Sequence, residues 1–313
     1  AEEGITNINL LDTSNVTNME SMFERFGYYV TTLNLGENFD TSNVVNMRNM
    51  FSQVGIAKME ELNLGKKFNT NKVTNMSSMF SGAGMVKMTK IDLGDKFDTS
   101  NVTDMSEMFS GMGQDNLINL DLGDKFNTSK VTNMSGMFKW TGDYAMTDLN
   151  LGSEFDTSNV TNMYMMFYQT GYTSMKSLDL GDKFNTHSVT DMENMLVMTG
   201  EKSMTNLDLG PAFTYISSEN FMNRCGKSGS LVIQVPEAIY QDSTHFKLST
   251  NSETTVELTT GTINPKYRPE WIKEGTKVDQ TDASNPKLNI TLRGTTNTEV
   301  AASEYISDVE SML

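Results

Sequence analysis

The sequence predicts an α/β solenoid, a right-handed coil of short parallel strands and short helices, with a small β-containing cap at its C-terminal end. Three observations predict it: a period of 29 residues, a Leu-x-Leu pair at one place in each copy, and Val, Met and Phe at helical spacing after that pair. A unit of this size cannot bury its apolar face alone, so successive units must stack. The pairs begin at Leu33, Leu62, Ile91, Leu120, Leu149, Leu178 and Leu207.

The Leu-x-Leu pair predicts a short strand. Leu33 and the second leucine of its pair point to one side of a strand, and Asn34 between them points to the other. Gly36 ends the strand where the chain must turn sharply. Stacked copies place their strands about 4.8 Å apart in a parallel sheet. We expect eight such strands, the first beginning at Ile8, and a further strand near Leu231.

The second half of each copy predicts a short helix. Val44, Met47, Met50 and Phe51 fall on one helical face, and threonine precedes this face in most copies as a candidate N-cap. Gly55 and its equivalents stand where a glycine commonly follows the last helical turn.

Methionine is unusually frequent, with 25 residues. Most of them fall in two columns of the repeat, which begin at Met19 and Met22. An array of thioether groups suggests copper binding as one interpretation. Side chains that recur in register with Val and Phe favour the other interpretation, in which flexible methionines fill the core between coils.

Composition excludes several classes of partner. Lys and Arg total 24 against 40 Asp and Glu, a net charge of −16, which disfavours nucleic acid and anionic membrane surfaces. No apolar run is long enough to span a bilayer, so we expect no membrane insertion in this fragment. The single cysteine, Cys225, excludes an internal disulfide. The start AEEGITNINL has no signal-peptide pattern, so we expect the signal peptide and the anchor to lie outside this fragment.

The pattern divides the chain into four parts. Residues 1–233 form the solenoid, about eight coils with a shortened first coil, numbered below as repeats one to eight from Ile8. A strand-containing cap is predicted over 234–263 and a proline-bearing linker over 264–286. Residues 287–313, with LNITL followed by a Gly-Thr turn, resemble the start of an immunoglobulin-like surface module.

The repeat itself carries a family resemblance. MxxLxLG followed by FDTSNVTNMxxMF resembles the BspA-like branch of leucine-rich repeats, and in particular the 29-residue repeat of Firmicute and mycoplasma surface proteins. The resemblance covers about residues 5–233. It implies a leucine-rich-repeat-like fold and an extracellular, cell-surface location, with adhesion to host proteins or other cells as the expected role. Leu196 departs from the pattern, since phenylalanine is expected there.

The outward position of the strands forms a polar face. Amides and carboxylates about 4.8 Å apart would either gather cations such as calcium or stay hydrated, with nearby lysines as countercharge. The hydrated face is the favoured interpretation, because no calcium-binding spacing is present and no metal is expected. The members of this polar strand face are Asn34, Asn63, Asp92, Asp121, Asn150, Asp179 and Asp208.

A second candidate site is aromatic. The loop after each MF pair varies freely between copies, and in repeats five and six it becomes aromatic at Trp140, Tyr144, Tyr168 and Tyr172, with Tyr164 one helical turn before Tyr168. Exposed Trp and Tyr on a rigid scaffold favour recognition. The alternative is that these rings merely cover the edge of the core.

No motif indicates an enzyme or a cofactor. The chain has two histidines and none of the spacings typical of hydrolase, phosphate-binding or zinc sites. We therefore expect a non-catalytic extracellular adhesion or recognition module that binds a host or bacterial surface protein or a glycan. The alternative is a structural spacer that projects a separate binding domain from the cell surface.

Overall fold

The structure is a computed structural model. It describes residues 8, 11–94, 96–123, 125–214, 220–227 and 231–235, and the backbone of four later strands. The strands are β1 Thr32–Asn34, β2 Glu61–Asn63, β3 Asn119–Asp121, β4 Asp148–Asn150, β5 Ser177–Asp179, β6 Asn206–Asp208, β7 Leu231–Gln234, β8 Val256–Thr259, β9 Lys277–Asp279, β10 Lys287–Ile290 and β11 Thr298–Ala301.

Strands of adjacent repeats pair in parallel, as the sequence predicts. Leu33 lies opposite Leu62, so equivalent positions meet across each paired step. The expected continuous sheet is wrong, however, because the strands form the separate groups β1-β2, β3-β4 and β5-β6-β7-β8. In repeat four the segment around Ile91 is not a strand, and that residue is only partly buried. The strand expected at Ile8 falls largely outside the described residues.

The predicted short helices are wrong: among the described residues there is no helix, and consecutive turns occupy the expected positions. Asn49 and Gln53 both have φ of +56°, which a right-handed helix does not allow. Their amides donate to the next repeat, to Ser77 O at 3.0 Å and Ser81 O at 2.6 Å, while Ser52 N closes a local turn onto Asn49 O at 3.0 Å. Hydrogen bonds between repeats therefore replace those within a helix.

The apolar columns form the core. The methionines of both columns are buried, which confirms their core placement, except that Met22 of the first repeat is 39% exposed. Phenylalanine rings stack from repeat to repeat, with centroids 5.6 Å apart for Phe51 and Phe80 and 5.7 Å for Phe80 and Phe109. Leu196 occupies this column in repeat seven and is also buried, so the ring stack ends before it.

Buried threonines join neighbouring repeats on the other side of the core. Thr70 Oγ1 donates to Asp98 O and accepts from Asp98 N, both at 2.7 Å. These side chains therefore do more than define a local turn, because each hydroxyl donates to a backbone carbonyl of the next repeat. The fully buried members of this column are Thr41, Thr70, Thr99, Thr128, Thr157 and Thr186.

The C-terminal strands extend beyond the repeats. β7 pairs in parallel with β6, which confirms the strand expected near Leu231, and β8 pairs with β7 inside the range predicted as a cap. β9 lies inside the range predicted as a linker and pairs antiparallel with β10, which pairs with β11. A paired strand fits there because the three residues of β9 are well separated from the prolines on which the linker prediction rested. The rest of that division stays a prediction.

Candidate functional site

The polar strand face has a structural role at each of its positions. In all seven residues the side-chain Oδ1 accepts a hydrogen bond from the amide of the glycine two residues later, at 2.8–3.0 Å. A short polar side chain that bonds the backbone in this way fixes the turn after the strand. Asp40 and Asn46 form the same kind of turn further along the repeat, bonding the amides of Ser42 and Arg48.

Glycine at the end of the strand permits close approach of paired repeats. Gly65 has φ of +77°, and a Cβ added there would overlap the carbonyl oxygen of Gly36. Gly94, in the repeat without a strand, has nothing within 4 Å of the same position. A cleft of about 470 Å³ opens at this break, with Asn63 and Asp92 among its lining residues.

Acidic residues gather at the C-terminal part of the polar strand face. Asp179, Asp182 and Asp208 line a cleft of about 340 Å³. Burial raises the pKa of Asp208, the amide of Gly210 lowers it, and the charges of Asp179 and Asp182 raise it further. Among the described residues no group of three or more His, Cys, Asp or Glu is arranged to hold a metal ion.

The aromatic edge, defined as Trp140, Tyr144, Tyr164, Tyr168 and Tyr172, contains one direct ring contact. The rings of Trp140 and Tyr168 meet edge to face, with centroids 6.3 Å apart. Trp140 is 39% exposed and Tyr144 is 54% exposed, while the other three are half-buried. The helix that was to align Tyr164 with Tyr168 does not exist, and Tyr164 makes no ring contact within the described part of the chain.

Trp140 lies at a position where the backbone has a positive φ in each described repeat. Its own φ is +60°, in the left-handed region. The two preceding repeats have Gly82 and Gly111 at this position, whereas Gln53, Gln169 and Met198 occupy it elsewhere with φ of 56–59°. The surrounding hydrogen bonds hold the conformation, since Trp140 N donates to Tyr168 O at 2.9 Å. The repeat therefore displays a tryptophan at a position where other described repeats have glycine or a flexible side chain.

Cationic side chains cover part of these rings. Lys139 Nζ lies 4.1 Å from the centroid of the Trp140 ring, and Lys202 Nζ lies 5.2 Å from that of Tyr172. The pKa of Lys202 is raised, first by its hydrogen bond to Tyr172 and then by the charge of Glu201.

A buried carboxylate beside the aromatic edge was missed by the sequence reasoning. Asp143 is 1% exposed, and its Oδ2 accepts hydrogen bonds from Gln114 Nε2 at 3.2 Å and Gln169 Nε2 at 3.1 Å. Its Oδ1 has no hydrogen-bond partner in the protein. Burial raises the pKa of Asp143, and the two glutamine bonds lower it. The signal was available, because the four preceding repeats have Tyr28, Ile56, Met85 and Gln114 in this loop column and none of these residues is an acid.

Glu201 repeats this feature two repeats further on. Its Oε1 accepts from Arg224 at 2.7 Å, while its Oε2 is buried without a partner. Asp143 Oδ1 and Glu201 Oε2 are the two buried side-chain atoms without a hydrogen bond among the described residues. Both residues follow the loop glycine, and Tyr172 occupies the same position in the repeat between them.

A second aromatic pair lies on the same side of the repeats, near the N-terminus. Tyr28 and Tyr29 meet edge to face at 4.7 Å, both are exposed, and Lys58 Nζ lies 5.9 Å from the centroid of the Tyr29 ring. Here no unpartnered buried oxygen accompanies the rings among the described residues.

Reactive side chains do not converge in the described residues. His187 is exposed, and its backbone amide donates to Asn185 Oδ1. Cys225 is buried, and burial raises the pKa of its thiol. His245 lies outside the described residues. In the part of the chain that the structure describes, no helix has the length and apolar character needed to cross a membrane.

Comparison with known proteins identifies the repeat. The model of a family described as Mycoplasma protein of unknown function, DUF285, matches residues 1–116 and again 84–208, which together cover more than half of the chain. The chain belongs to this family. No curated protein and no solved structure matches it. Membership agrees with the resemblance to mycoplasma and Firmicute repeats, and the two overlapping matches are as expected for a family built from repeated units.

Proposed function

We propose that this chain is a non-catalytic extracellular recognition module of a bacterial cell-surface protein. In this proposal its repeats form a right-handed, BspA-like solenoid of leucine-rich-repeat type, and the module binds a macromolecule on a host or bacterial surface. Membership of a family described from Mycoplasma supports the repeat type. The net charge of −16 supports a partner other than nucleic acid.

One observation carries the choice of site. Exposed aromatic rings and unpartnered buried carboxylate oxygens coincide on the aromatic edge, around Trp140, Asp143 and Glu201. An unpaired buried oxygen destabilises a fold. Features that oppose stability concentrate where a protein binds, and among the described residues the oxygens of Asp143 and Glu201 are the two buried side-chain atoms without a hydrogen-bond partner.

The scaffold supports a rigid presentation of this edge. The polar strand face fixes each strand-end turn, and the buried threonines join successive repeats, so each loop is anchored to the repeats beside it. Trp and Tyr on such a support lose little conformational entropy on binding, because each has few rotatable bonds.

Binding to intact cells tests the proposal. The labelled 313-residue chain would be incubated with cultured epithelial cells and with bacterial cells, and bound label measured by flow cytometry. We expect saturable binding that weakens by about 1–2 kcal/mol in Trp140→Ala and in Tyr168→Ala, the usual range for interface aromatics.

Tyr29→Ala is the matched control, since Tyr29 is an exposed ring with a lysine above it at the other end of the repeats. Equal binding by all three variants would remove the aromatic edge as the site. Absence of saturable binding to any cell would instead favour the second candidate, a structural spacer that projects another domain. The run of backbone bridges from Asn18 to Asp191 favours that candidate, because it joins successive repeats without reference to any ligand.

A further inference from the structure

The chemistry of the aromatic edge restricts what it can bind, provided that the proposed function places binding there. Asp143 and Glu201 offer carboxylate oxygens, which accept hydrogen bonds and do not donate them. Each acid already has one oxygen engaged, Asp143 by Gln114 and Gln169 and Glu201 by Arg224. The oxygens that remain therefore require a hydrogen-bond donor.

Among ligands that carry hydrogen-bond donors, charge excludes both the cationic and the anionic ones. Lys139 and Lys202 lie over the rings of Trp140 and Tyr172, so a cationic side chain seeking those rings would meet like charge. An anionic ligand would meet the free carboxylate oxygens within a chain of net charge −16. A neutral ligand is left.

Apolar ring area and a few fixed acceptors occur together at the edge. Trp140 and Tyr144 expose ring area, and Asp143 and Glu201 each keep one oxygen without a hydrogen-bond partner. This combination binds a ligand with apolar faces and many hydroxyl donors.

We propose that the aromatic edge is a saccharide-binding site for neutral oligosaccharides. Trp140 and Tyr144, the most exposed rings of the edge, pack against the apolar faces of sugar rings. Asp143 and Glu201 supply the acceptors for sugar hydroxyls. Because both free oxygens are buried, this contact requires neighbouring side chains to move aside. Gln114 and Gln169 are positioning residues, since they bond Asp143 from the repeats on either side.

An array of immobilised neutral hexasaccharides of glucose, galactose, mannose and N-acetylglucosamine tests this proposal. Sulfated and sialylated oligosaccharides and a lysine-rich peptide serve as charged comparison probes on the same surface. We expect the full 313-residue chain to bind at least one neutral hexasaccharide in preference to every charged probe. Preference for a charged probe, or no binding to any neutral hexasaccharide, would overturn the proposal.

Trp140→Gln is the central variant, because Gln53 and Gln169 occupy the same position of the repeat with the same positive φ and the backbone therefore accepts glutamine. We expect its affinity for the bound hexasaccharide to fall about tenfold. Tyr29→Ala should bind as the wild type does. Equal affinity of Trp140→Gln and the wild type would place the sugar elsewhere and defeat the assignment.

Asp143→Asn and Glu201→Gln keep the side-chain shape and replace one acceptor oxygen by a donor. Each should lose most of the affinity. The Tm of Asp143→Asn should stay at or above that of the wild type, so its loss of affinity cannot be attributed to unfolding. Glu201→Gln also weakens the ion pairs to Arg224 and Lys202, so its affinity is measured well below its own Tm. Cell binding that depends on Trp140 but is unaffected by excess neutral hexasaccharide would leave the recognition role intact and remove only the saccharide.

Discussion

Polar atoms in the interior columns of the repeat have hydrogen-bond partners, whereas two buried oxygens beside the aromatic edge have none. On the strand face and in the threonine column, each polar side chain bonds a backbone group of its own turn or of the next repeat. Beside the aromatic edge, Asp143 and Glu201 each keep one buried oxygen without a hydrogen-bond partner. The comparison teaches that polarity alone does not identify a site in a repeat protein. A buried polar atom without a hydrogen-bond partner is more informative.

The largest effect is expected from the phenylalanine stack. Phe109→Ala removes a fully buried ring between Phe80 and Phe138 and should lower the free energy of unfolding by about 3–5 kcal/mol. Tyr144→Ala, on the aromatic edge, should change it by less than about 0.5 kcal/mol. Chemical denaturation of both variants checks the contrast, and a comparable loss in Tyr144→Ala would make that ring part of the core.

Removal of one threonine link should have the next largest effect. Thr70→Val removes the donor to the carbonyl of Asp98 and one of the two acceptors of its amide, which keeps Lys96 O at 3.0 Å, at a cost of about 1–3 kcal/mol. Thr70→Ser keeps the hydroxyl and should retain most of the stability. If valine and serine variants melt at the same temperature, the hydroxyl does not join the repeats.

Asp143, the buried acid beside the aromatic edge, should show the opposite effect: its replacement should raise the stability of the protein. The raised pKa of Asp143 means that the folded state holds its proton more tightly, so its contribution to stability falls as pH rises from 3.8, the ordinary value, through the raised folded value. The Asp143→Asn variant has no titrating group at this position, so its stability does not fall in this way. Its Tm should therefore match the wild type at low pH and exceed it above the window, as measured by thermal melts across that range. A constant difference at every pH would contradict the assignment.

The smallest effect is expected on the polar strand face. Asp92→Asn keeps the acceptor for Gly94 N and matches the residue found at this position in other repeats, so stability should not change. Asp92→Ala removes the acceptor and should cost about 1 kcal/mol. Chemical denaturation distinguishes the two. A clear loss in Asp92→Asn would indicate that the charge, and not the turn, is what this column provides.

The period by itself determined much of this protein. A repeat of 29 residues fixes which side chains recur, and recurrence at Leu, Val, Met and Phe positions identified the core and the parallel pairing of adjacent strands. Such inferences succeed because equivalent residues of stacked units must meet one another, whatever the local backbone does.

Only the tertiary structure showed the backbone conformation after Val44 and the hydrogen-bond partners of the polar side chains. Apolar side chains at helical spacing fit a chain of turns equally well, and hydrogen bonds to the next repeat, which no local pattern reveals, select the turns. The hydrogen-bond partners of Asp143 are Gln114 and Gln169, which belong to the repeats before and after it. Burial and hydrogen-bond satisfaction arise when repeats are stacked, so one repeat read alone does not contain them.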